Sequence, residues 1–212
     1  NHYFERLLHH NHDAFCYLFY DPKIGTWVGA SPEKLINLNN GIVTTFALAA
    51  TKKKLDQCWT DKEFKEQKIV EDKIVEDLNK YCKNIAAGTL QTVKAGSIYH
   101  LKSVIKAKTN KSSTDLIRLL HPTPAVAGMP KNLAISYINR KEDYDRSFYS
   151  GFLGLLESKS CDIYVNIRCA KIVDDDLTIY VGGGITNDSN AVDEWHEILN
   201  KSQTMLGIFH QG

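Results

Sequence analysis

The segment Lys34–Ala49, KLINLNNGIVTTFALA, sets two runs of apolar and β-branched residues on either side of Asn39-Asn40-Gly41. An Asn-Gly turn between such runs is a strong hairpin signal, because both central residues of the favoured two-residue turn need positive φ. Strands joined so tightly can pair only antiparallel. The preceding segment 14–30, AFCYLFYDPKIGTWVGA, repeats the pattern, with two short strands around Asp21-Pro22-Lys23-Ile24-Gly25. Further along, 96–109 (GSIYHLKSVIKAKT) is strand-like. The stretch 151–183 reads as three more strands, the middle one running through IYVNIRCAKI and ending at a tight acidic turn, Asp174-Asp175-Asp176.

Helices interrupt these strands. From Thr60 to Cys82 the apolar residues Phe64, Ile69, Val70, Ile74, Val75 and Leu78 recur at helical spacing, and Thr60 with Glu63 makes a capping box. SSTDLIRLLHP is a short helix stopped by Pro122, NLAISYINRKED is another, and a final helix is expected from about Asp188. The opening, NHYFERLLHHNHD, reads as the middle of a helix, without a cap. Strand pairs broken by a few helices predict an α+β fold of packed antiparallel sheets with flanking helices. No repeat, low-complexity segment or linker divides the chain, so residues 1–212 read as one domain.

Composition narrows the function classes. With 43% apolar and 24% charged residues the chain is ordinarily globular, and a net charge of +1 gives no reason to expect nucleic acid as a partner. Five cysteines (Cys16, Cys58, Cys82, Cys161, Cys169) without a C-x-x-C pair indicate neither a disulfide framework nor a zinc site, which fits a reducing, cytoplasmic setting. No apolar run of about 18 residues predicts a membrane span.

Two acidic pairs carry the first chemical signal. Glu63 and Glu66 lie three residues apart on the first long helix, as do Glu194 and Glu197 on the last, with Lys201 one turn further on. Such pairs also decorate solvated helix faces. Brought together, four carboxylates repel unless a cation lies between them, and all-oxygen ligation suits Mg²⁺. The run YVGGGITNDS places Gly182, Gly183 and Gly184 between a strand and the start of the last helix at Asp188 or Ser189. Backbone N–H groups there can cradle a carboxylate or phosphate, although a plain tight turn has the same composition. Arg168 interrupts an apolar strand, where alternation puts it on one face with Asn166 and Ala170, and a charge there needs a partner.

Taken in order, GASPEKL, ALAATKK, DKEFKEQKIVEDKIVEDL, YHLKS, LLHPTPAVAGMPK, DRSFYSGFLG, VNIRCAKI, YVGGGI and DEWHEILNK resemble the motifs of the chorismate-utilising enzymes. That family includes the isochorismate, salicylate, anthranilate and aminodeoxychorismate synthases. The HPTPAVAG segment is most similar to that of isochorismate synthases, with salicylate synthase, or an inactive chorismate-binding module, as the alternatives. The resemblance implies Mg²⁺ held by Glu66 and Glu197, with Glu63 and Glu194 behind them, and a ring carboxylate received by the ion, Lys201 and Gly182–Gly184. It implies that Tyr149 and Arg168 hold the enolpyruvyl carboxylate, that Glu33 is the general acid for the C4 hydroxyl, and that Thr51 and His100 line the pocket. His100 is equally readable as a packed structural histidine. Ala125 stands where salicylate synthases carry a threonine.

Several positions depart from the family pattern. Its A-G-T-R is Ala49-Ala50-Thr51-Lys52 here, so a methyl at Ala50 is expected to narrow the pocket or to demand φ below zero. Gln67 replaces a histidine and Ser147 a glycine. The lysine that activates the attacking water in this family is expected upstream of Glu33, before Asn1, so that the chain resembles the C-terminal portion of the catalytic domain with its first strands missing.

Overall fold

The structure, a computed structural model, describes residues 2–52, 54–95, 98–187 and 189–209. After helix α1 (His2–His10) come strands β1 (Phe15–Asp21), β2 (Gly25–Ser31), β3 (Lys34–Asn39) and β4 (Ile42–Lys52), then helix α2 (Asp61–Leu78). Strands β5 (Lys83–Ala87), β6 (Gln91–Ala95) and β7 (Ile98–Lys108) lead to helices α3 (Ser113–Leu120), α4 (Pro124–Ala127) and α5 (Lys131–Lys141). Strands β8 (Phe152–Leu156), β9 (Ser160–Val165), β10 (Cys169–Val173) and β11 (Asp176–Tyr180) precede helix α6 (Ala191–Phe209). The Asn40-Gly41 turn closes the β3–β4 hairpin with φ of 50° and 75°, the left-handed pair its sequence predicts. The class is α+β.

Two antiparallel sheets form. One has the order β1-β2-β10-β11; the other runs β5-β7-β4-β3-β9-β8, with β6 sharing the edge of β7 that β5 also uses. Helices α2 and α3 cover the larger sheet, burying Ile74, Leu78, Leu116 and Ile117 against Leu35, Val43, Ile105 and Ile163. On the smaller sheet Leu7 of α1 and Met205 and Ile208 of α6 close over Val28, Ala30 and Ala170. Each fully buried side chain of this kind contributes about 1.5–3 kcal/mol, so each acidic helix is anchored to its own sheet by its apolar face.

The run expected as one strand, IYVNIRCAKI, is two. Strand β9 belongs to the larger sheet and β10 to the smaller, and the chain changes sheets through Asn166–Arg168, where Arg168 takes φ 51°. A left-handed residue cannot continue the pleat, so the alternation placing Arg168 on a face with Asn166 and Ala170 does not hold. Asn166 pins the bend: its side chain accepts from Tyr17 Oη at 2.6 Å and donates to the Phe148 carbonyl at 2.8 Å. A second crossing runs beside the first. The chain leaves β2 at Ser31 and enters β3 at Lys34 through Pro32 and Glu33, with Ala30 N donating to Arg168 O at 3.1 Å and Val165 N to Glu33 O at 2.9 Å. Glu33 and Arg168 therefore meet at the seam between the sheets.

Three further differences are local. Strands β5 and β6, not expected from the sequence, lie in a stretch of mixed composition with little apolar alternation. The last helix starts at Ala191 and is capped by Asn190, whose Oδ1 accepts from Val192 N at 2.9 Å, while Ser189 turns instead to Glu194; the expected start at Asp188 lies outside the described residues. At the β4 bulge, Ala50 keeps φ at 57° rather than below zero, and Ser147 sits at 48°. A left-handed residue with a Cβ costs roughly 1–2 kcal/mol. Ala50→Gly is accordingly expected to raise stability by up to about 1 kcal/mol after glycine's greater unfolded-state entropy is subtracted, read as a higher urea midpoint at unchanged slope. A lower midpoint would mean that the methyl contributes more by packing than it costs in strain.

Candidate functional site

All fourteen residues singled out in the sequence line one cavity of about 760 Å³: Glu33, Thr51, Glu63, Glu66, His100, Ala125, Tyr149, Arg168, Gly182, Gly183, Gly184, Glu194, Glu197 and Lys201. The seam between the sheets forms its floor, α2 and α6 two of its sides, and α4 and the 182–184 loop its rim.

On the floor, Glu33 is buried at 7% exposure and its Oε1 accepts from Thr123 Oγ1 at 2.9 Å. Burial pushes its carboxyl above the ordinary range, against the opposing pull of the Thr123 hydrogen bond and of the Lys201 and Arg168 charges. Arg168 is buried as well, and desolvation lowers its guanidinium to about 10 despite attraction from Glu33. It still carries its charge at neutral pH. The Arg168 guanidinium lies 3.4 Å from His100 Nε2, and His100 Nδ1 meets the Ala50 carbonyl at 2.9 Å, with Thr51 Oγ1 at 3.3 Å. A carbonyl can only accept, so the proton is on Nδ1 and Nε2 faces the cation. Burial, with Arg168 and Lys201 nearby, pushes His100 down to about 4, leaving a neutral ring at physiological pH.

The four carboxylates at the side are all half-buried. Desolvation raises the Glu66 carboxyl, and Glu63, Glu197 and Glu194 push it the same way, with Lys62 opposing. The two helices thus present their acidic faces to each other. Each carboxylate also has a local partner. Glu63 accepts from Thr60 N at 2.7 Å and from the Thr60 hydroxyl as the capping box, and Glu194 accepts from Ser189 Oγ at 2.5 Å. Lys62 lies 3.8 Å from Glu66, and Lys201 lies 2.6 Å from Glu197. Among the described residues no three potential ligands close into a cage. Mg²⁺ does not require one: it is usually held by one or two carboxylates, with waters and substrate oxygens completing the octahedron. A pair of mutually repelling, oxygen-only ligands fits that ion.

The glycines differ in purpose. A Cβ at Gly182 would stand 2.5 Å from Tyr149 Oη, whereas one at Gly183 would make ordinary contacts with Glu194, Ile198 and Glu197, and Gly184 faces open space. Gly182 is therefore required by Tyr149, which is buried, stacked on Tyr180 at 5.5 Å, and pushed upward in pKa chiefly by burial. Gly182→Ala should cost about 1–3 kcal/mol, the usual penalty for overpacking, with Gly184→Ala near neutral; equal melting temperatures for the two variants would remove this distinction. Lys201 Nζ reaches the Gly182 carbonyl at 3.2 Å and so ties α6 to the same loop.

Residues missed in the sequence brace the site. Thr123 makes the only hydrogen bond to the Glu33 carboxyl among the described residues. Arg146 is gripped by Glu142 at 2.6 and 2.5 Å and reaches Ser150 Oγ at 3.0 Å, fixing the turn that bears Tyr149. Neither has a signal in spacing alone, since their partners are distant in sequence or in an irregular turn. Lys52 points away: its ammonium bonds the Leu55 and Gln57 carbonyls and lies 4.5 Å over the Trp59 ring.

Known proteins share this sequence pattern and fold. Isochorismate synthase MenF of Escherichia coli is 33% identical over 205 residues, covering 88% of this chain and 47% of that protein. The chain spans about half the length of the curated relatives it matches. Among solved structures, a Bacillus anthracis protein described as the 2,3-dihydroxybenzoate-specific isochorismate synthase DhbC superposes with a TM-score of 0.91 at 29% identity, over 98% of this chain and 61% of that one. Anthranilate synthase component I of Streptococcus pneumoniae superposes with a TM-score of 0.84 at 26% identity, over 96% and 48%. No helix among the described residues is long and apolar enough to cross a membrane. The family model described as chorismate binding enzyme matches residues 1–210, and the chain belongs to that family.

Proposed function

We propose that the protein is a Mg²⁺-dependent isochorismate synthase, adding water at C2 of chorismate with loss of the C4 hydroxyl. The observation that carries this is the seam. A buried carboxyl held toward its protonated form and a buried guanidinium share the cavity floor, opposite two converging pairs of carboxylates. Chorismate is a dicarboxylate carrying a poor leaving group, and these are the groups it needs.

Arg168 and Tyr149 are suited to the enolpyruvyl carboxylate, the guanidinium giving charge and two-pronged geometry at a site that excludes water. Lys201 and the backbone of Gly182–Gly184 are suited to the ring carboxylate. Glu66 and Glu197, with Glu63 and Glu194 behind them, would hold the ion, which supplies positive charge to the ring carboxylate when bound. Glu33 gives its proton to the departing C4 oxygen as the two ring double bonds shift and a water oxygen bonds to C2, the water's proton passing to the lysine base that the family resemblance implies. Neutral His100 keeps Arg168 oriented without adding a competing charge. The base for the water is neither Lys52, bonded to two carbonyls, nor Lys201, paired with Glu197. In the same cavity Ala125 offers only a methyl, so nothing on α4 assists elimination of pyruvate.

Isochorismate should accumulate when the protein is given chorismate and Mg²⁺ without ammonia, as followed by chromatography. Salicylate with pyruvate as the main product, or a requirement for ammonia or glutamine, would move the chemistry to another branch of the family.

A further inference from the structure

Thr123 stands at the head of α4, where a threonine ordinarily turns its hydroxyl back to accept from the first-turn N–H groups. Here the side chain makes no capping bond, and the turn is closed by the Thr123 carbonyl, which accepts from Val126 N at 3.2 Å and Ala127 N at 3.0 Å. The buried hydroxyl donates instead to Glu33 Oε1, ninety residues away in sequence. Glu33 Oε2 has no hydrogen-bond partner among the described residues, and Glu33 borders the cavity. A neutral carboxyl has one hydroxyl oxygen and one carbonyl oxygen. The oxygen that already accepts the threonine proton is the carbonyl one.

We propose that Thr123 is a positioning residue for the acid: its hydroxyl holds Oε1 as acceptor and so keeps the transferable proton on Oε2, the oxygen left to the cavity. The inference rests on Glu33 being the acid for the C4 hydroxyl. Without the threonine, the terminal torsion of the glutamate is broad and roughly two-fold, and the proton divides between two oxygens of which one faces away from the leaving group. The charged groups facing Glu33 are Arg168 from the β9–β10 crossing and Lys201 from α6. Both favour the carboxylate, as the Thr123 bond does, and burial opposes all three.

An acid works only while it holds its proton, so the rate falls as pH rises through its pKa. Deleting the Thr123 hydroxyl removes a bond that favours the charged form, which moves that alkaline limb upward in pH even as the plateau rate drops. Loss of packing alone lowers the rate without moving the limb in that direction.

The test measures kcat and KM against pH for isochorismate formation by wild type, Thr123→Val, Thr123→Ala, Thr123→Ser and Glu33→Gln. Valine and alanine should each lower kcat by about tenfold to a hundredfold, the scale of a misplaced catalytic group, leave KM within about twofold, and shift the alkaline limb to higher pH; serine should restore both. The alanine variant decides the matter if valine does not fold. Wild-type kcat and an unmoved limb in Thr123→Ala, beside an inactive Glu33→Gln, overturn the positioning role and leave the acid standing. A loss with an unmoved limb, or no rescue by serine, also overturns it. An active Glu33→Gln overturns the acid assignment and this inference with it.

Discussion

Glu66→Gln and Glu197→Gln are each expected to lower turnover of chorismate by about 10³-fold or more. Metal polarisation is worth several kcal/mol of transition-state charge stabilisation, at about 1.4 kcal/mol per tenfold. Glutamine keeps the size of either side chain and removes its charge, so the fold should be retained. Desolvation and three neighbouring carboxylates already disfavour the charged form of Glu66, so its neutral isostere should be tolerated or slightly stabilising. Glu197→Gln gives up the Lys201 ion pair, a partly solvated i,i+4 contact of about 1 kcal/mol or less. Glu63 provides the contrast. Its carboxylate accepts from Thr60 at the start of α2, a bond a glutamine oxygen could keep, so Glu63→Ala should act mainly on stability, within the roughly 0.5–1.5 kcal/mol of a hydrogen bond. Calorimetric titration of Mg²⁺ supplies the second readout: binding should be tighter with chorismate present, because its carboxylate completes the site, and weaker in both ligand variants. Chelator-resistant activity, or normal turnover by Glu197→Gln, would remove the ion from the mechanism.

What could be read from the sequence follows the range of the forces involved. The β3–β4 hairpin and the α2 capping box are local, and Asn40-Gly41 and Thr60/Glu63 specify them within a few residues. The α2 and α6 acidic faces are equally local; their approach to each other is not, and it depends on each helix burying its apolar side on a different sheet. Arg168 marks where the pattern misleads. Apolar residues continue on both sides of it because β9 and β10 are each buried, so periodicity runs through a bend that only the left-handed backbone and the Asn166 hydrogen bonds reveal. The pairing of Thr123 with Glu33 is less legible still. A threonine before a proline reads as a helix cap, and its real partner lies in another sheet crossing. Ala50 and Ser147 hold positive φ although neither is the glycine that the family pattern leads one to expect there, so the departures in sequence did not mark a change in backbone.

Glu33→Gln is expected to lower kcat by about 10²- to 10⁴-fold, the usual contribution of a positioned acid, and at the same time to make the fold more stable. Its amide oxygen can keep the bond from Thr123 Oγ1, and its size is unchanged, so packing at the seam is preserved. The stability gain follows from linkage. Burial raises the folded-state pKa of Glu33 above its ordinary 4.5, against the attraction of Arg168 and Lys201. Below the ordinary value both folded and unfolded chains hold the proton, and no deficit exists. As pH rises, the unfolded chain releases its proton first, the folded chain binds more protons than the unfolded one, and stability falls until the folded pKa is passed. Glutamine does not titrate, so its advantage over the wild type should grow between those two values and stay constant above them. Thermal melts of both proteins from about pH 4 to 8 read this as a melting-temperature gap that opens in favour of the variant, the common trade between a strained site and its function. A gap of the opposite sign would mean that the Arg168 attraction outweighs burial and that Glu33 is an anion at neutral pH, unable to protonate the leaving hydroxyl. Opposite movements of rate and melting temperature are what distinguish a buried acid from a residue that only holds the seam together.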